Sequence, residues 1–115
     1  MTTTTAEERE LWRTFFVMRR QLELTLERRL QADSGISSAD FEILAALSEE
    51  SSAHLRAGRI ADIIGWEKSR VSHQLGRMAQ RGLIERVECG DDPRGVWVVL
   101  TAEGRRAVAT AMRDH

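Results

Sequence analysis

From Ala6 to about Gln31 no glycine or proline interrupts a run in which Leu11, Phe15, Met18, Leu22, Leu26 and Leu30 recur at steps of three and four residues. That period is the signature of an amphipathic α-helix. A helix of this length spans roughly 35–40 Å at 1.5 Å per residue, more than one small domain can cover. Trp12 and Phe16 add a second apolar line, so the helix predicts a partner subunit over part of its length. Residues 1–5 read as a disordered lead, and Asp33-Ser34-Gly35 ends the helix. With 115 residues the chain has room for one domain, here 6–115.

The remainder alternates short helices with turn signals. Ser37 and Asp40 stand three apart as a capping box and open a second helix with Phe41, Leu44 and Leu47 inward. His54-Leu55-Arg56 predicts a short strand, and Ala57 to Ile64 a third helix with Ile60, Ile63 and Ile64 inward. Gly65 supplies the left-handed cap that lets the chain reverse. A fourth helix follows from about Glu67 to Gln80, burying Val71, Leu75 and Met78, and Gly82 ends it. Two short helices joined through a glycine turn are a helix-turn-helix pattern.

Leu83 to Glu88 and Val96 to Leu100 then predict two strands around the turn Cys89 to Gly95, a hairpin or wing. Val96, Val98 and Leu100 alternate onto one face. Asp92-Pro93-Arg94-Gly95 forms a tip too short to bury either charge, and an arginine steadied there by a carboxylate suits a phosphate or a narrow minor groove. Thr101 can N-cap a last helix with Ala107, Val108, Ala111 and Met112 on one face. The sequence stops at His115 within that helical pattern with no cap, glycine or proline, and so reads as cut short. The fold class expected is mainly α (α+β): a winged helix-turn-helix with a long N-terminal helix.

The net charge of −1 hides an uneven distribution. Residues 1–50 carry a balance of −4 and residues 51–115 a balance of +3. It is the local field that steers a polyanion. Once Val71, Leu75 and Met78 face inward, Lys68, Arg70, Ser72, His73, Gln74 and Arg77 fall on the outward and flanking faces of the fourth helix. Arginine can grip guanine through two hydrogen bonds, glutamine can read adenine, and serine or lysine can hold phosphates. An ordinary solvated helix face has the same pattern, so the stripe acquires weight from the turn before it and the hairpin after it.

Together these residues resemble the MarR family of bacterial winged-helix transcription regulators. The family's wing signature Asp-x-Arg-x-x-x-Val-x-Leu-Thr is met by Asp92, Arg94, Val98, Leu100 and Thr101. The approach also matches, through Ile60-Ala61, Lys68-Ser69-Arg70-Val71-Ser72 and Gly82-Leu83-Ile84-Glu85-Arg86, and the likeness runs over about residues 6–115. The resemblance implies a homodimer on a pseudo-palindromic duplex, with each recognition helix in a major groove and each wing in a flanking minor groove. On this chain it assigns Ser69, Arg70, Ser72, His73 and Arg77 to the recognition helix, Arg94 to the wing tip and Asp92 to its support. It further implies a cytoplasmic repressor, relieved in many members by a small aromatic or phenolic effector, with Trp12 and Phe16 the candidate pocket residues. The sequence departs from the family in two ways. Glu67 replaces the usual capping Asp, and the C-terminal dimerisation helices are only partly present.

Other classes find little support. The lone Cys89 permits no internal disulfide and fits a reducing compartment; acidic neighbours Glu88, Asp91 and Asp92 oppose a reactive thiolate. His54, His73 and His115 fit no metal-ligand spacing, and no cofactor is expected. Ser69 or Ser72 near His73 lacks a carboxylate to orient a base, so the chain is not read as an enzyme. No apolar run approaches membrane-spanning length. The reading from a different class is a winged helix used as a protein-interaction module, with Arg70, Arg77 and Arg94 pairing acidic partner residues.

Overall fold

The computed structural model describes residues 5–88 and 96–114. Five helices and three strands follow in the order α1 (Ala6–Ser34), α2 (Ser38–Glu49), β1 (His54–Arg56), α3 (Ala57–Ile64), α4 (Lys68–Gln80), β2 (Ile84–Glu88), β3 (Val96–Leu100) and α5 (Ala102–Asp114). The element order matches the expectation, and the fold is mainly helical with a small antiparallel sheet. Cys89, Asp92 and Arg94 lie outside the described residues, as does the greater part of the lead before Thr5.

Hydrogen bonds at the helix ends explain the boundaries. Thr5 accepts from the Glu8 amide at 3.1 Å and starts α1. The helix continues through Asp33 and Ser34, three residues beyond Gln31, because only Gly35 takes a left-handed conformation (φ 67°). The Ile36 amide then reaches back to the Leu30 carbonyl, and both side chains are buried, a helix stop sealed by an apolar contact. Ser37 and Asp40 form the capping box of α2 in both directions, at 3.0 and 2.9 Å. Thr101 caps α5 by accepting from the Gly104 amide at 3.0 Å.

The sheet has the order β1-β3-β2, with Leu55 opposite Val98 and Ile84 opposite Leu100. Those four side chains are buried and close one side of the core, which Ile43, Leu44, Leu47, Ile60, Leu75 and Met78 fill from the helices. Several apolar expectations shift, and Ile64 and Ala107 are only half-buried. Ile63 is exposed, and Ala61 takes the buried place beside Ile60; the close helix contact of α3 with α2 and α4 accepts the smaller side chain. Phe41 is only half-buried while Ile43 is fully enclosed, and Met112 on α5 is exposed.

Of the long stripe on α1, Leu30 alone is buried. Leu11, Trp12, Phe15, Phe16, Val17, Met18, Leu22, Leu24 and Leu26 all stand exposed, because α2 and α5 contact α1 but leave most of its length uncovered.

Candidate nucleic-acid interface

The site is built on the turn between α3 and α4. Gly65 (φ 74°) closes α3, and the amides of Gly65 and Trp66 both donate to the Ala61 carbonyl at 2.9 and 3.1 Å. Glu67 then caps α4 by backbone geometry only, making no side-chain cap bond, in keeping with its poor suitability there. Val71, Leu75 and Met78 anchor α4 in the core as expected. This leaves Lys68, Ser69, Arg70, Ser72, His73 and Arg77 exposed along the other side. Six of the eight residues expected to meet DNA therefore share one accessible helix face. Arg94 lies outside the described residues, and Gln74 departs from the expectation.

Gln74 is 8% exposed and points into the molecule. Its Nε2 donates to Asp40 Oδ1 at 2.7 Å. At 3.6 residues per turn it lies about 40° from Arg70 and about 60° from Val71 around the helix, on the border between the two faces. A buried carboxylate on α2 decides the matter, since an amide without a partner there costs about 1–3 kcal/mol. Gln74 is thus held by Asp40 and is not exposed with the other polar residues of α4.

Asp40 is the centre of this inner network. It is fully buried, yet it accepts from the Ser37 amide, from Gln74 and from Arg81 Nη1, the last at 2.5 Å. Arg81 Nη2 continues to the Gly35 carbonyl at 2.6 Å. Glu27 on α1 accepts from the Ser38 amide at 2.9 Å. The end of α1, the start of α2 and the inner side of α4 are thus tied together by polar contacts, and the spatial relation of the long helix to the basic face depends on them.

The outward side gathers residues that sequence patterning alone does not single out. Trp66 carries the Arg70 guanidinium over its ring at 3.7 Å from the centroid. Arg86 on β2 donates to the Ser72 carbonyl at 3.0 Å, adding a cation from the strand to one flank of α4. A depression on that flank is lined by Ser69, Ser72, His73, Arg77 and Arg86. On the other flank, Ser37, Trp66, Arg70, His73 and Arg77 line a second. A third joins Arg56, Arg59 and Lys68 at the foot of β3. A signal for Trp66 did exist, since it stands four residues before Arg70. Arg86 had none, because its approach to α4 depends on how the strand packs.

The other candidates are placed as follows. Trp12 and Phe16 stack at 5.8 Å on the uncovered part of α1, both about half exposed, with Phe15 edge-on to each. His54 is in β1, the short strand expected there, edge-on to Trp97 at 4.8 Å. Among the described residues no group of histidine, cysteine, aspartate and glutamate could hold a metal ion, and no helix is long and apolar enough to cross a membrane.

Comparison with known proteins extends this geometry. The family model described as the MarR family matches residues 34–95, the span from the end of α1 through the helix-turn-helix and β2 into the wing. AbsC, a MarR family transcriptional regulator from Streptomyces coelicolor, is 35% identical; the match covers 100% of this chain and 77% of that one, with a TM-score of 0.88.

The chain belongs to the MarR family.

Two further solved structures align with it. Sco3205, a MarR family transcriptional regulator from Streptomyces coelicolor crystallised in complex with DNA, is 31% identical over 100% of this chain and 72% of its own, with a TM-score of 0.90. The M. tuberculosis transcriptional regulator MOSR, also in complex with DNA, is 30% identical over 87% of this chain and 70% of its own, with a TM-score of 0.70. The search of curated proteins finds no match. For a MarR family member, the exposed face of α4 and the depressions beside it are the surface to be explained functionally.

Proposed function

We propose that this MarR family member is a transcriptional regulator that binds a specific double-stranded DNA sequence as a homodimer and represses by occupying the promoter. The observation that carries the reading is the exposed face of α4. Lys68, Arg70, His73 and Arg77 share it with Ser69 and Ser72, on a helix anchored from behind by Val71, Leu75 and Met78. A helix presented this way fits the major groove, with its first turn toward base edges. The DNA complexes of Sco3205 and MOSR support the partner. In this assignment Arg70 reads a base, Lys68, Ser69, Ser72, His73 and Arg77 position the helix on base edges and phosphates, and Arg94, steadied by Asp92, enters the minor groove.

Dimerisation is supported by the uncovered apolar stripe of α1, with α5 beside it. An effector belongs to the same surface: Trp12 and Phe16 form one aromatic wall, and a second subunit supplies the other. The ligand class that suits such a wall is a small aromatic or phenolic anion. We assign the chain no catalysis and no cofactor, and place its work in the bacterial cytoplasm, where the promoter is.

The test is duplex binding as a function of salt. A duplex selected from a random library should lose affinity steeply and linearly on a log–log plot, and Arg94→Ala should lower the slope by about one contact. Arg70→Ala should cost about 1–3 kcal/mol on the selected duplex and much less on mixed sequence. Binding that is weak and indifferent to salt contradicts the proposal and favours a protein-interaction module.

A further inference from the structure

Among the described residues Arg70 is the one cation on the face of α4 that lies on an aromatic ring, with its guanidinium carbon 3.7 Å from the Trp66 centroid. Trp66 is not part of α4. It belongs to the preceding turn, where its amide bond to the Ala61 carbonyl and the left-handed Gly65 fix its backbone. Its ring is half-buried and packed against the core. Arg70 is exposed, and among the described residues no carboxylate pairs with it. The ring is therefore what restrains an otherwise long and mobile side chain.

A guanidinium stacked on a ring keeps its N–H donors in the stacking plane, free for a planar acceptor pair. Stacking also removes rotamer freedom before binding, so less is lost when the hydrogen bonds form. Among the described residues Lys68 and Arg77 have no such platform, and they suit phosphates, which do not demand an oriented plane.

We propose that Trp66 is a positioning residue for base readout: it holds Arg70 in the plane needed to engage a guanine edge, and so determines specificity at that base pair without touching DNA. This rests on the DNA-binding reading above. The proposal separates Trp66 from an ordinary core residue, since its effect on binding must pass through Arg70.

The experiment is a double-mutant cycle on the full chain, with the duplex it selects from a random library. Trp66→Leu should weaken binding about three- to tenfold in the parent and leave Arg70→Ala unchanged, the size of the ordering cost that a freed Arg70 side chain would pay on binding. Trp66→Phe, which keeps a ring, should stay within about twofold of the parent. An equal loss from Trp66→Leu in both backgrounds would show a purely structural role and overturn the proposal. In the free protein, NMR should find the Arg70 side-chain protons shifted upfield by the ring. Unshifted protons in the parent overturn the idea even if Trp66→Leu fails to fold. Should the parent bind no duplex, the DNA reading falls and this role with it. A parent that binds without coupling sinks only the present proposal.

Discussion

Gly104 shows how one residue can control the join between the wing and the last helix. A Cβ built there would come 2.1 Å from the Leu83 carbonyl oxygen, which is backbone and cannot swing aside. The same carbonyl accepts from the Thr101 amide at 3.3 Å and from the Thr101 hydroxyl at 2.9 Å, so α5 is seated directly on the start of β2. Gly104→Ala is expected to destabilise the fold by about 1–3 kcal/mol, the usual cost of overpacking. Chemical denaturation checks it, and a wild-type midpoint would show that α5 can slide away. The residue scale also separates Gln74 from its neighbours. Arg70 and Gln74 look alike as polar positions on a basic helix, but Asp40 lies behind only one of them.

At the scale of elements, α4 is held on its inner side by apolar packing and by a carboxylate network at its middle and end. Asp40 accepts from three groups, so Asp40→Ala removes the return bond of the capping box and strands the buried Gln74 amide together. Losing the return bond costs about 0.5–1.5 kcal/mol and the unsatisfied amide about 1–3 kcal/mol more. Arg81→Ala should cost less, because the Arg81 side chain is 45% exposed and Asp40 keeps its other two donors. Thermal unfolding of the two variants should rank them in that order. A larger loss from Arg81→Ala would mean that the ion pair, and not the Gln74 bond, holds α2 against α4.

At the scale of the molecule, the radius of gyration is 17.8 Å. A compact domain of this length has about 13 Å. The excess comes from α1, whose 29 residues extend the long axis to 60 Å with an apolar stripe in the open. Such a surface favours burial against another copy. Leu22→Glu places a charge in the stripe and should convert a dimer to a monomer by sedimentation, with loss of tight duplex binding. The effector reading adds a second expectation. With Trp66 and Trp97 replaced by Phe so that Trp12 alone reports, a phenolic anion such as salicylate should quench the fluorescence strongly, and much less once Leu22→Glu is added. Equal quenching in both would place the ligand outside the dimer interface.

Periodicity, glycine placement and cap residues determined the element order, the helix-turn-helix, the capping box at Ser37 and Asp40, and the outward placement of Lys68, Arg70 and Arg77, because those signals act over one or two turns of chain. What the tertiary structure decided lies at borders and at long range. Gln74 turned inward for a carboxylate 34 residues away, Ala61 replaced Ile63 in the core, and Arg86 came to α4 across 14 residues. A helix pattern places a side chain only by its angle around the helix. When that angle falls between two faces, the choice belongs to whichever neighbour can satisfy the group, and that neighbour is known only once the chain has folded.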